Sequence, residues 1–357
     1  MLNFTVGPVM TSEKVRKIGG EQTPYFRNEE FSEIMFENEN LVREMLYAGS
    51  DSKVVFLTGS GTAAMEAVVM NVFNENDNVL IINGGGFGQR FVDLCRLHEI
   101  NHEEINLEFG RDIDGDTLNQ YSNKGFTGFL VNICETSSGV HYNLDLIADF
   151  CKKNNMFLVV DAISSFLANS INMDEKAIDV VITGSQKALA CPPGISIIAL
   201  SKNALKRVEN NKCKSMYFDL KDALKNAERG QTPFTPAVSI LLQINARLKE
   251  IQSNGGVESE IKRINILATD FRQRISDLPF EIETESLSNS LTAISCSSAS
   301  ALEIVDLLKN EYGIWVNPNG GELSEKMFRV GHIGDLTIKD NDKLIEALFD
   351  LKEKGVI

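Results

Sequence analysis

Between about residues 53 and 200, apolar positions gather into short β-branched runs: VVFLT at 54–58, NVLII at 78–82, GFLVNI at 128–133, MFLVVD at 156–161, IDVVIT at 178–183 and ISIIAL at 195–200. Amphipathic stretches alternate with them: one from Thr62, then Phe87–Leu97 and Leu144–Lys153. Runs of this length without polar interruption predict strands buried on both faces, and the alternation predicts a mainly parallel sheet covered by helices. A long helical pattern over Val238–Ile251 leads into Ser253-Asn254-Gly255-Gly256, a strong stop signal. Beyond it, a helix over Val257–Leu278, the strand-like LTAISC at 291–296, a helix near Ser300–Tyr312 and a closing helix over Lys339–Lys354 predict a smaller α+β unit. The expected organisation is therefore an N-terminal segment 1–15 packed on the larger unit or on a partner subunit, a large α/β domain 16–252 and a small domain 253–357. A further helix is expected near Asn28–Leu46.

A chain of 357 residues, 43% hydrophobic and 24% charged, can bury a sizeable core. Its formal charge of −15 disfavours nucleic acid and anionic membranes as partners, because both recruit basic surfaces. No apolar run spans a bilayer and the start MLNFTVGPVM lacks the form of a signal peptide, so a cytoplasmic protein is expected. Cysteines 95, 134, 151, 191, 213 and 296 form no CxxC pairs, which predicts reduced thiols and no metal site.

Five places carry candidate chemistry. Lys187, in TGSQKALACPPG, follows a predicted strand and falls at the carboxyl edge of the sheet, where a partly dehydrated amine can attack a cofactor aldehyde; a solvated loop lysine is the plainer alternative. Gly59-Ser60-Gly61-Thr62 stands between a strand and a helix, where backbone N–H groups can hold a phosphate or simply form a tight turn. Asp161 ends MFLVV at the same edge, placed either to face a pyridine nitrogen or to cap a helix. Phe87 in GGGFGQR can stack on a ring or pack in the core, and Arg329 in MFRVGHIGD can fork onto a carboxylate or lie on the surface.

In order and spacing, the segments GSGTAAMEA, GGGFGQR, CETSSGV, VVDAISS, GSQKALACPPG, TPFTPAV and FRVGHIGD resemble the class V aminotransferases of fold type I, in particular the alanine–glyoxylate, serine–pyruvate and 2-aminoethylphosphonate group. The resemblance implies pyridoxal 5'-phosphate held by Lys187 as a Schiff base, Asp161 at the pyridine nitrogen, Phe87 and Ile163 on opposite ring faces and Thr136 beside the phenolic oxygen. It places Ser60, Gly61, Thr62 and Gln186 at the phosphate, with Thr232 and Thr235 reaching a neighbour's phosphate across a homodimer interface, and Arg329 on the substrate carboxylate. It also implies a seven-stranded large sheet. The implied activity is ping-pong transfer of an amino group from alanine or serine to glyoxylate or pyruvate, with 2-aminoethylphosphonate as the alternative donor. A cysteine desulfurase would place histidine where Phe87 stands and a reactive cysteine on a mobile loop, and a noncatalytic binder would not require Asp161, Lys187 and Arg329 together.

Overall fold

The computed structural model describes residues 1–297 and 299–357. Its centre is a seven-stranded sheet in the order Lys53–Thr58, Ile195–Leu200, Val180–Gly184, Phe157–Asp161, Gly128–Asn132, Asn78–Asn83, Asn101–Asn106. Ile195–Leu200 runs antiparallel to both neighbours, and the other pairings are parallel. The expected mainly parallel sheet and its seven strands are present.

Each predicted run is a strand because its side chains are buried on both faces. Gly128–Asn132, Phe157–Asp161, Val180–Gly184 and Ile195–Leu200 are buried at every position. One apolar cluster covers one face through Val54, Phe129, Val160 and Ile197, and a second covers the other through Val55, Leu130, Val159 and Ile198. Each strand feeds both clusters by alternation.

The helix Val238–Ser253 packs on the first cluster through Leu241, Ile244 and Leu248. It ends at Asn254, and Gly255, at φ +100°, opens the next helix, Gly256–Arg274, which stops four residues before the expected Leu278. A four-stranded antiparallel sheet, in the order Phe280–Glu281, Leu291–Cys296, Met327–Gly331, Asn317–Pro318, shares a third cluster with the helices Ala301–Tyr312 and Ile338–Glu353. The first residues pack on both parts of the chain. Leu2–Asn3 pairs in parallel with Ile314–Trp315 and Phe4 joins the third cluster, whereas Val9 and Val15 join the first. Residues 1–15 thus bridge the C-terminal sheet and the larger core, and Val6 and Gly7 fall between them.

Candidate active site

The parallel strands all end on one edge of the large sheet, and most of the candidate residues lie at that edge or in the loops and helices that leave it. Thr58 leads to Gly59-Ser60, Asn83 to the helix Gly86–Leu97, Asn132 to Cys134-Glu135-Thr136, and Gly184 to Lys187. Asp161 is itself a last strand residue.

Lys187 is held in a tight loop. Ala190 N–H donates to the Lys187 carbonyl at 2.8 Å and Cys191 N–H to the Ser185 carbonyl at 2.9 Å, while Ser185 Oγ donates to the Pro192 carbonyl at 2.6 Å. The side chain is buried rather than solvated, and Nζ donates to the Val6 carbonyl at 2.7 Å. Gly7 makes this approach possible: it sits at φ +133°, and a β-carbon there would lie 2.8 Å from Lys187 Cδ. Burial pulls the Lys187 amine down from 10.5 to about 8, with Arg329 and Arg90 adding to the effect and Cys134 and Asp161 opposing it. The loop thus presents an amine that is easily made neutral.

Asp161 is buried, and Oδ1 accepts the Ile163 N–H at 2.8 Å. Burial pushes its carboxyl up to about 7, against the lowering pull of that N–H and of Arg90 and Lys187. A carboxyl held this way gains from a cationic partner. Ile163 packs directly on Gly61, whose missing side chain leaves room for Ile163 Cδ1. The helix Gly61–Val72 begins at Ser60, which is exposed and makes no side-chain capping bond. Gln186 folds back over Gly184, where a β-carbon would meet Gln186 Oε1 at 2.9 Å.

Thr136 Oγ1 lies 2.8 Å from Ser164 Oγ, and its carbonyl accepts Arg329 Nη1 at 3.0 Å. Arg329 reaches across from the strand Met327–Gly331, bonds the Pro318 carbonyl at 3.1 Å through Nη2, and leaves a buried Nε without a partner. Among the described residues it makes no salt bridge. Burial lowers its pKa below that of an ordinary arginine. This is an arginine turned inward, not a surface one.

Thr232 and Thr235 lie apart from this group, in the loop before the helix Val238–Ser253. The Thr232 hydroxyl donates to the Phe234 carbonyl at 2.8 Å, and Thr235 is exposed. The loop is tied to the site's edge where Ala237 N–H donates to Thr58 Oγ1 at 3.1 Å.

Sequence reasoning overlooked three contributors. Glu135, fully buried, accepts the N–H groups of Phe87 and Gly88 at 3.1 Å each, Asn132 Nδ2 at 3.2 Å, and Ser137 through N at 3.2 Å and Oγ at 2.6 Å. Arg90 lies over Phe87, 4.9 Å from the ring centroid. Val6 meets the amine through its carbonyl. Glu135 and Arg90 stand inside CETSSGV and GGGFGQR, but which way they face is decided by packing.

The thiols take no part of this kind. Burial pushes Cys95 and Cys191 up to about 12 and Cys134 to about 11, and Cys296 closes the strand Leu291–Cys296 instead of riding on a loop. No group of three or more metal-ligating side chains occurs among the described residues, and no described helix is long and apolar enough to cross a membrane.

The class V aminotransferase family model matches residues 20–332. The chain belongs to the class V aminotransferases. An uncharacterised aminotransferase of Helicobacter pylori is 30% identical over 98% of this chain and 93% of its own length, and an L-aspartate–glyoxylate aminotransferase of Paracoccus denitrificans is 27% identical over 94% and 86%. The crystal structure of an alanine–glyoxylate aminotransferase from Nostoc sp. superposes with a TM-score of 0.91 at 25% identity, covering 98% of this chain and 95% of that one. This aminotransferase therefore has the fold type I architecture and depends on pyridoxal phosphate. The site fits that group: it offers a buried amine with a lowered pKa, a helix start without a side-chain cap, and an inward arginine with an unpaired Nε.

Proposed function

We propose that this aminotransferase moves an amino group between a small 2-amino acid of the alanine or serine type and glyoxylate or pyruvate, with Lys187 and Asp161 as its catalytic residues. The observation that carries the reading is the placement of Arg329: a half-buried guanidinium bonded only to carbonyl oxygens, held against the loop of Thr136, with a buried Nε left unpaired. A guanidinium fork suits a carboxylate. The Nostoc and Paracoccus relatives both carry glyoxylate in their names, which supports it as acceptor.

Bound pyridoxal phosphate supplies an aldehyde and a ring that accepts electrons from the substrate's α-carbon. Lys187 would hold the cofactor through Nζ, and the same atom, when free and neutral, would take and return the substrate's α-proton. Asp161 would set a negative charge against the pyridine nitrogen, which would keep the carboxyl ionised in return. Phe87 and Ile163 would enclose the ring, Thr136 would stand at its phenolic oxygen, and Ser60, Gly61, Thr62 and Gln186 would take the phosphate. The Val6–Gly7 backbone closes over the amine and excludes water.

We further propose a cytoplasmic homodimer in which Thr235, exposed here, and Thr232 complete the neighbour's phosphate site. Sedimentation of the cofactor-loaded chain should give a dimer, and a fully active monomer contradicts it. The substrate reading is tested by kcat/KM for alanine, serine, aspartate and 2-aminoethylphosphonate, each with glyoxylate and pyruvate. Alanine or serine should lead, and a clear lead for the phosphonate or for aspartate overturns the assignment.

A further inference from the structure

Arg90 makes two side-chain contacts that the assigned roles leave unexplained. Nη1 donates to Thr62 Oγ1 at 3.1 Å, and the guanidinium carbon lies 4.9 Å from the Phe87 ring centroid. Arg90 follows Phe87 by three positions on the helix Gly86–Leu97, so the two share a face, while Thr62 stands in the first turn of the helix Gly61–Val72. One side chain therefore joins the start of the phosphate-side helix to the ring-side aromatic.

The direction of this hydrogen bond matters. A guanidinium has donors and no acceptor, so Thr62 Oγ1 must accept, and the hydroxyl's own proton is turned away from Arg90. Among the described residues Thr62 Oγ1 makes no other hydrogen bond. It sits where a helix start already favours an anion, beside Ser60, which leaves the helix without a side-chain cap. The cation on Oγ1 also polarises the hydroxyl and makes it a stronger donor. Arg90 makes no salt bridge with an acid among the described residues, and its charge acts on Asp161 and Lys187 only at longer range.

We infer that Arg90 is a positioning residue that orients the Thr62 hydroxyl as a donor to the cofactor's phosphate. The inference rests on the proposed reading of Ser60–Thr62 as the phosphate cradle.

The test compares pyridoxal phosphate with pyridoxal, which has the same aldehyde and ring and lacks the phosphate. Full-length protein freed of cofactor is titrated with each aldehyde, following Schiff-base absorbance, for the wild type, Arg90→Met, Thr62→Val and the double variant. Wild-type protein should prefer the phosphate ester strongly. Arg90→Met should raise the Kd for pyridoxal phosphate roughly tenfold while changing that for pyridoxal less than about twofold, as expected for loss of a charge-assisted bond to the anion site. Thr62→Val should narrow the preference similarly, and the double variant should narrow it no further than the more affected single variant, because both act through one hydroxyl. Equal weakening of both aldehydes by Arg90→Met overturns the inference and assigns the residue to the Phe87 face alone, and additive losses in the double variant overturn it too. Wild-type protein that takes both aldehydes equally overturns the phosphate reading of Ser60–Thr62, a result separable from either. Should Arg90→Met fail to fold, Thr62→Val decides alone: an unchanged preference overturns the inference.

Discussion

Glu135 Oε2 accepts the backbone N–H of Phe87 at 3.1 Å, so a buried carboxyl on one loop fixes the aromatic residue at the head of the neighbouring helix. The same oxygen takes the Gly88 N–H, and the helix start Gly86–Leu97, whose N-cap Gly85 offers no side chain, is capped from a distance in sequence. Gly85 must stay bare, since a β-carbon there would lie 2.6 Å from Glu135 Cδ and from Ser137 Oγ.

Glu135→Ala leaves the donors of Phe87, Gly88, Asn132 and Ser137 short of a partner inside the protein. A loss of about 3 kcal/mol or more of unfolding free energy is expected in urea melts. Glu135→Gln, which keeps the volume and one acceptor, should lose less than half of that. A Glu135→Ala loss under about 1 kcal/mol would show that water takes over the cap.

The Lys187 amine, lowered by burial to about 8, should react with aldehydes at a pH where an ordinary lysine does not. At pH 7 about a tenth of it is neutral, against about one part in three thousand for an amine at 10.5. Trapping of an added aldehyde at Lys187 under cyanoborohydride should rise through a midpoint near pH 8. The stability effect has a definite sign. Because the folded pKa lies below the unfolded one, the unfolded chain binds more protons between about 8 and 10.5, so this group's contribution makes the cofactor-free protein more stable as pH rises through that window. A trapping midpoint near 10.5 would mean that the amine is solvated.

Arg329→Ala should raise KM for the amino donor and for the keto acid together, roughly tenfold to a hundredfold each, because one anion site serves both half-reactions. The change in kcat should be smaller. Paired KM measurements check it, and a donor KM that does not move would exclude Arg329 from carboxylate binding.

The sheet was legible wherever burial on both faces imposes unbroken β-branched runs, as in Val180–Gly184. The edge strand Asn101–Asn106, reading NHEEIN, carries no such signal: one neighbour leaves it half in solvent and only Ile105 is buried. The pairing of Leu2–Asn3 with Ile314–Trp315 was equally hidden, since two residues carry no period and the contact joins opposite ends of the chain. Lys187 stood out because it follows a buried strand and Asp161 because it ends one, and those strand ends define the site edge. Glu135 and Arg90 did not, because a carboxylate in a turn and an arginine on a helix are commonplace in solvent, and only the folded chain turns one onto the Phe87 N–H and the other onto Thr62.

The account rests on Lys187 as the amine that holds the cofactor. Borohydride reduction of the protein loaded with pyridoxal phosphate, followed by proteolysis and mass spectrometry, reads that bond directly. The phosphopyridoxyl group should be found on the peptide containing Lys187, and Lys187→Ala should carry none. Stoichiometric label on any other lysine, or full labelling of Lys187→Ala, would contradict the account.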